Sequence, residues 1–248
     1  MIILKNKEEI GKMHEAGKVL AAIHRQIAKV IRPGITTSEI DRMVESLMEQ
    51  YGVIPEQKGY HGYPYATCAS VNDVICHGFP NDIPLKDGDI VTIDMVVNKE
   101  GWLADSAWSY AVGNISPEAQ RLLDTTKQAL YIGIEKAVVG NRIGDVANAI
   151  QTFAEARGYS VVRQFIGHGI GQSMHEEPQV PHYGPAGRGP RLKEGMVITI
   201  EPMLNIGSYH AKIDEDGWTA RTVDGSLSAQ YEHTIAITEQ GPLILTEQ

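Results

Sequence analysis

Two ten-residue stretches limit what this chain can fold into. Leu85-Lys86-Asp87-Gly88-Asp89-Ile90-Val91-Thr92-Ile93-Asp94 is nearly repeated, 107 residues later, by Leu192-Lys193-Glu194-Gly195-Met196-Val197-Ile198-Thr199-Ile200-Glu201. So long a period marks a duplicated half, because solenoid repeats run only about 20 to 50 residues. Helical punctuation recurs at nearly the same shift: Pro33-Gly34 falls on Val139-Gly140, Ile40 on Val146, Val44 on Ile150, Leu47 on Phe153 and Gly52 on Gly158. Each copy delivers an acid, Asp94 or Glu201, at the end of the same strand. If those acids serve one site, the halves share one core. The expectation is a single α+β domain over 1–248, with halves of roughly 10–115 and 116–248 and helices packed on a curved, mostly antiparallel sheet.

Periodicity supplies the helices. Met13, Ala16, Leu20, Ile23, Ile27 and Val30 recur at three- and four-residue steps, giving one apolar face that stops at Pro33-Gly34. A second helix starts behind the N-cap signal Thr36-Thr37-Ser38-Glu39 and carries Ile40, Val44, Leu47 and Met48 before Gly52. His14 and His24 lie on the first helix and read as surface residues.

The run from Ile90 to Val97 is rich in β-branched residues, and Trp102 to Val112 reads as a returning strand. With a symmetric four-residue loop at Asn98-Lys99-Glu100-Gly101, Val97 pairs with Trp102 and Asp94 stands directly opposite Asp105. Like charges at about 4.5 to 5.5 Å between Cβ atoms destabilise a sheet. Solvated acids on an open face are the bland alternative, but Ile93, Met95 and Val96 surround Asp94 and no Lys or Arg occurs between 87 and 98. A carboxylate in such a setting neutralises or finds a cation, and a divalent metal is the better candidate.

Three further residues extend this set. Glu201 closes Val197-Ile198-Thr199-Ile200 before Pro202, and Glu232 lies in an expected alternating strand, Ala229 to Ile237, on the face of Thr234 and Ala236. His168 sits in Gly167-His168-Gly169-Ile170-Gly171, where glycines allow close approach. Singly, these read as a surface acid or a hydrogen-bonded core histidine. Together Asp94, Asp105, His168, Glu201 and Glu232 make an oxygen-rich set whose four negative charges balance two divalent cations. Such paired ions polarise a carbonyl and activate water, and hard oxygens with one imidazole fit Mn, Fe, Co or Zn alike.

Composition narrows the class. Thirty-one acidic against 22 basic residues give a net charge of −9, which disfavours general or sequence-specific nucleic-acid binding. The two cysteines, Cys68 and Cys76, make neither a disulfide framework nor a zinc motif and fit a reducing, cytoplasmic setting. No window approaches the roughly 18 apolar residues of a membrane span, and no export signal is evident.

The segments Ser70-Val71-Asn72-Asp73-Val74-Ile75-Cys76-His77-Gly78-Phe79-Pro80, Gly167-His168-Gly169-Ile170-Gly171, Met174-His175-Glu176-Glu177-Pro178, Ile200-Glu201-Pro202-Met203 and Gln230-Tyr231-Glu232-His233-Thr234 closely resemble type I methionine aminopeptidases of the short bacterial form. The resemblance covers nearly the whole chain. It implies the pita-bread fold, with pseudo-twofold halves that agree with the repeat. It also implies removal of the initiator methionine from nascent polypeptides and peptides with a small second residue, by a monomer with a possible transient ribosome contact. Carried over residue by residue, it makes Asp94, Asp105, His168, Glu201 and Glu232 the metal ligands, with Asp105 and Glu232 as bridges. His77 and His175 then contact substrate and the tetrahedral intermediate, Glu201 doubles as proton shuttle, and Tyr60, Tyr63, Cys68, Met174 and Trp218 line the methionine pocket. Polarizable walls suit a thioether. Gln57, where many relatives carry a thiol, Met174, where an aromatic is common, and Ala104, where glycine is usual before the bridging acid, depart from the pattern.

Two rival readings remain. An Xaa-Pro aminopeptidase or prolidase of the same fold resembles this chain in its five ligands, but such enzymes normally carry a large extra N-terminal domain, whereas the first repeat helix here begins within about a dozen residues. A non-catalytic, ribosome-associated binding module would show lost ligands, and none is lost.

Overall fold

The computed structural model describes residues 1–248. Its first helix, α1 (Lys7–Val30), starts at a reciprocal cap: Asn6 Oδ1 accepts from the Glu9 amide at 3.0 Å and Glu9 Oε2 accepts from the Asn6 amide at 2.8 Å. Met13, Ala16, Leu20, Ile23 and Ile27 are buried as their spacing predicts. The second helix, α2 (Thr37–Gln50), opens on the same device between Thr36 and Glu39 and buries Ile40, Val44 and Met48, with Leu47 only partly covered. Helices α3 (Pro117–Lys136) and α4 (Ile143–Glu155) answer them in the second half.

The duplication is visible bond by bond. Gly34 donates to the Leu85 carbonyl at 2.7 Å and Leu85 to the Ile35 carbonyl at 2.8 Å; their counterparts are Gly140 to Leu192 at 3.0 Å and Leu192 to Asn141 at 2.7 Å. Gly34 and Gly140 share a φ of +93°, open to glycine and strained for a side chain. Isolated bridges at Thr36/Pro84 and Arg142/Arg191 complete the correspondence. These are the links that return each helix pair to its sheet.

Every strand pair is antiparallel. Strand Ile90–Lys99 pairs along one edge with Trp102–Ala111 and along the other with Ile54–Pro55 and Cys68–Val71. In the second half Val197–Ile200 lies between His233–Thr238 and Gly167–Gly169. Smaller sheets join Met203–Asn205 to Ser228–Gln230 and Ser160–Val161, and Ala220–Thr222 to Ala211–Ile213 and Val74–Cys76. The buried apolar residues gather in four clusters, of which two smaller ones, of 8 and 5 residues, draw on both halves: Met13, Val96 and Leu103 with Ile170 and Val197, and Ile75 and Cys76 with Val162 and Met203. One cluster of 19 buried residues lies under α1 and α2 and another of 23 under α3 and α4, and Trp108 packs against both. Each fully buried Leu or Ile contributes about 1.5 to 3 kcal/mol, so each half carries its own support.

Four local expectations require correction. The hairpin loop has two residues, Glu100-Gly101, at φ +53° and +85°, with Lys99 paired to Trp102. Two positive φ values match the right-handed twist of the strands better than a wide symmetric loop does. Asp94 therefore faces Ala107, and Asp105 faces Val96. The slip is two residues, so both acids keep the same face and become diagonal neighbours. Asp94 also lies mid-strand, whereas Glu201 stands just past the strand that Pro202 ends. The run around Glu232 is broken at Tyr231-Glu232, where the chain passes from one sheet to another and the Glu232 amide donates to the Ala107 carbonyl at 2.9 Å. Finally His24 is buried, with Nδ1 2.7 Å from the Tyr110 hydroxyl and Nε2 3.0 Å from Ser106 Oγ, and burial lowers its pKa to about 3. His14 remains partly exposed.

Two glycines of α1 test this packing with opposite signs. A Cβ on Gly17 would lie 1.9 Å from the Leu245 carbonyl oxygen, while one on Gly11 would meet nothing within 4 Å. Gly11→Ala is expected to stabilise by roughly 0.5 to 1 kcal/mol through helix propensity. Gly17→Ala gains the same term and is expected to lose about 1 to 3 kcal/mol to overpacking. Denaturant unfolding of both variants checks this, and equal stabilisation would contradict the close approach of the C-terminal segment to α1.

Candidate metal centre and substrate pocket

The face that carries Asp94 alternates with one that carries Ile93 and Met95, which pack into the cluster beneath α1 and α2. The helix layer thereby fixes the strand while its acid points the other way. Asp105 is held from the second half: its amide donates to Thr234 Oγ1 at 3.0 Å, and the Thr234 hydroxyl donates to the Asp105 carbonyl at 2.8 Å. Glu201 accepts from the Thr199 hydroxyl at 2.8 Å and from Gln230 Nε2 at 3.3 Å, and its amide donates to Nε2 of buried His182 at 3.0 Å. His168 Nδ1 is 2.9 Å from the Gly169 carbonyl, so Nδ1–H donates there and the Nε2 lone pair is left for the site.

These supports bring all five sequence-predicted ligands into one cavity of about 290 Å³. His168 Nε2 lies 3.6 Å from both Asp105 Oδ2 and Glu201 Oε1. Donor atoms of Asp105, His168 and Glu232 fall within 4.8 Å of one another. The lining contains no Lys or Arg. Buried Asp94 Oδ1, Asp105 Oδ1 and Glu232 Oε1 have no hydrogen-bond partner, which in a protein interior calls for an explanation.

Electrostatics points the same way. Burial first, then the Asp105 charge, pushes Asp94 well above the usual carboxylate range. Glu232 is likewise pushed up by burial and by Asp105, Glu201 and Asp94. Burial raises Asp105 to about 7 and, ahead of its charged neighbours, Glu201 to about 8. Four carboxylates without a counterion resist ionisation here. The orphaned oxygens and the one available imidazole fit divalent cations of the kind that prefers oxygen and nitrogen donors.

The other sequence-predicted residues form the walls. Tyr60, Tyr63, Cys68, Met174, Trp218, His77 and His175 all line the cavity. Tyr63 turns its hydroxyl toward the Thr67 carbonyl at 2.9 Å, and its ring packs edge-on to Trp218 with centroids 5.1 Å apart. His77 has φ +57° in a turn and stands edge-on to Phe165 at 5.3 Å; strained backbone of this kind gathers at functional sites. Burial lowers its pKa to about 4. His175 is at the exposed rim, its Nδ1 2.8 Å from the Tyr60 hydroxyl and its ring 4.4 Å from that of His168. The protein mass around it, and then the His168, His77 and His61 rings, lower it to about 4.

Gln57 fills a gap between the two strands that share one edge of Ile90–Lys99. Its Oε1 accepts from the Val96 amide at 2.9 Å, and its Nε2 lies 3.4 Å from both Cys68 Sγ and the Asp94 carbonyl. The amide is engaged with the sheet and does not add a spare polar group to the pocket. Phe165, Ile166, Met203 and Cys76 also line the cavity and escaped the sequence reading. Met203 could have been found from its place two residues beyond Glu201; Phe165 and Ile166, just before the glycine-flanked His168, carry no pattern of their own.

The pattern of metallopeptidase family M24 matches residues 11–239. The chain belongs to that family. It is 52% identical to a methionine aminopeptidase of Clostridium perfringens over 246 residues, and 50% identical to methionine aminopeptidase 1 of Bacillus subtilis, in each case over 99% of both chains. Solved methionine aminopeptidases from Rickettsia prowazekii and Thermotoga maritima superimpose with TM-scores of 0.98 at 42% and 43% identity, covering 100% of each chain. The family therefore places this chain in its methionine aminopeptidase branch, with the pita-bread fold. A prolidase from Pyrococcus horikoshii, at TM-score 0.80 and 23% identity, shares the fold.

Metal binding should be visible without any substrate. Adding Mn²⁺ or Co²⁺ to chelator-stripped protein is expected to raise Tm, by the equivalent of about 2.7 kcal/mol at a hundredfold excess over Kd. The rise should shrink in Asp105→Ala and Glu232→Ala, which each remove an acid of the cluster. A parent protein whose Tm ignores both ions would contradict the fit.

Proposed function

We propose that this chain removes N-terminal methionine from polypeptides with a small second residue, acting in the cytoplasm on nascent chains. The observation that carries the proposal is the juxtaposition of four carboxylates, Asp105 and Glu232 buried and Asp94 and Glu201 half-buried, and one imidazole, with no internal cation, with an aromatic and sulfur-lined pocket. We take 1–248 as one duplicated domain, acting as a monomer and with transient ribosome contact.

Asp94, Asp105, His168, Glu201 and Glu232 would hold two divalent cations of the Co, Mn, Fe or Zn type. When bound, these supply Lewis acidity toward the scissile carbonyl and lower the pKa of water. The chain's own residues do the rest. Tyr60, Tyr63, Cys68, Met174 and Trp218 receive the thioether side chain and exclude water from it. The substrate's α-amino group enters as the neutral amine, since an ammonium would be repelled there as an imidazolium would, and acetylation removes the amine's lone pair; a free N-terminus is thereby favoured. His77 and His175, neutral near pH 7, donate N–H groups toward the carbonyl oxygen as it gains charge. With the Tyr60 hydroxyl donating to Nδ1, His175 carries its proton on Nε2. Glu201, fixed by Thr199 and Gln230, accepts the proton of the attacking water and returns it to the departing amine.

Steady-state kcat/KM across a short peptide panel separates this reading from proline-specific cleavage. Met-Ala-Ser and Met-Gly peptides should be cleaved well, Leu-Ala-Ser weakly, and Met-Lys, Ala-Pro-Ala and acetylated Met-Ala-Ser hardly at all. One misplaced carbon in an apolar pocket is worth only about 1 to 3 kcal/mol, so weak Leu cleavage is consistent. Preference for Ala-Pro-Ala would move the chain to the proline-specific branch.

The two histidines are tested separately. His77→Ala and His175→Ala should keep their metal and lose kcat by roughly tenfold to a thousandfold, the usual cost of a transition-state donor. Metal loss equal to that of Glu232→Ala would place them among the ligands instead.

A further inference from the structure

The loop carrying Met174 and His175 is held by a residue from far outside the pocket. Lys5, 171 positions from Glu176, forms an ion pair with it in which the two side chains are only 3% and 8% exposed. Lys5 is itself fixed, since its amide donates to the Gly195 carbonyl at 2.7 Å and its Nζ to the Ile3 carbonyl at 3.2 Å. Gly195 opens the segment that runs into the Val197–Ile200 strand and Glu201. On the other side Glu176 pairs with Gly169 in the strand of His168, and its Oε1 lies 3.5 Å from the Ser173 amide. Gly171 has room for no side chain there: a Cβ would lie 2.6 Å from both Glu176 Oε1 and Lys5 Cε. The Leu103 amide donates to the Gly171 carbonyl at 2.9 Å and the Gly171 amide to the Ser173 carbonyl at 3.2 Å.

We propose that the Lys5–Glu176 ion pair is a positioning device that sets His175 against the substrate. Beyond the loop backbone, the one hydrogen bond orienting the exposed His175 ring is that to Tyr60. The backbone between Gly171 and Glu176 therefore decides where Nε2 points. A buried carboxylate seeks its cation with a strength that no surface contact matches, because an unpaired charge there has no water to turn to. Lys5 thus ties the loop to the same segment that presents Glu201, and the acid and the histidine keep a common frame. A shift of about 1 Å in such a group can lower a rate by roughly a hundredfold. Lys5 touches neither substrate nor the metal cluster; it acts through the loop. The proposal rests on the reading of His175 as a substrate donor.

The test is a double-mutant cycle in the metal-loaded full chain, with Met-Ala-Ser as substrate and metal content measured throughout. Lys5→Met is expected to lower kcat/KM by about 10- to 100-fold, with kcat falling and metal content unchanged. In a His175→Ala background the same change should cost less than about threefold, because the residue it positions is gone. Lys5→Arg should stay within about threefold of the parent. Should Lys5→Met fail to fold, Lys5→Met/Glu176→Leu, which replaces the pair by an apolar contact, keeps the interior uncharged and is read in the same way. Full activity in these variants overturns the proposal, as does an equal loss with and without His175, which would mark general destabilisation. A parent protein that leaves Met-Ala-Ser intact would instead overturn the proposed function.

Discussion

The structure depends on a repulsion that the polypeptide does not resolve by itself. Asp94, Asp105, Glu201 and Glu232 converge where neither Lys nor Arg reaches. Burial pushes all four toward the neutral form, and the charges of neighbouring acids add to it for Asp94, Glu201 and Glu232. A chain selected only for stability would replace such a cluster with apolar residues, which is often neutral or favourable. Keeping it has required Asp105 to be clamped by Thr234, Glu201 by Thr199 and Gln230, and Glu232 by the Ala107 carbonyl, while Asp94 is held by strand pairing on both sides. That investment is understandable when cations complete the site.

Duplication explains how one small chain supplies such a site. Each half packs a helix pair on its own large core cluster, and two smaller clusters drawn from both halves tie them together. The acids then meet at the seam, where Asp105 from the first half is hydrogen-bonded to Thr234 of the second and the Glu232 amide reaches back to Ala107. The halves have since diverged where chemistry differs. Asp94 remains in an uninterrupted strand, whereas Pro202 stops its counterpart and leaves Glu201 at a strand end, with oxygens contacted by Thr199 and Gln230.

What the sequence revealed followed from periodicity and from residue type. The capping signals at Thr36 and Glu39, the buried stripe of α1 and the repeat of Leu85–Asp94 are local patterns, and local patterns survive folding. The hairpin register was misread because Glu100 does not announce a left-handed conformation as Asn or Gly would, and only the twist of the paired strands selects the two-residue loop. Parity rescued the conclusion, since a two-residue slip leaves both acids on one face. His24 was misplaced for a different reason. Its partners Ser106 and Tyr110 lie more than 80 residues away, and no window along α1 could disclose them. The pocket walls Phe165 and Ile166 were missed on similar grounds, because lining a cavity is a property of the assembled sheets.

The histidines at the pocket show why charge placement matters as much as charge. An imidazolium beside divalent cations would be repelled by them and would weaken their binding. Burial for His77, and burial with neighbouring imidazoles for His175, keep both rings neutral well below pH 7. A neutral ring still donates one N–H, and where the Tyr60 hydroxyl donates to Nδ1 of His175 that N–H lies on Nε2. In the proposed mechanism the donor is oriented before substrate arrives, and gains strength only as the carbonyl oxygen becomes negative. Because the ring contributes no net charge to the resting site, its effect falls on the transition state more than on the bound peptide. The carboxylates, the neutral donors and the loop that carries one of them are thus parts of one electrostatic arrangement, in which the metal ions would supply the positive charge at the centre and Lys5 supplies it at the loop.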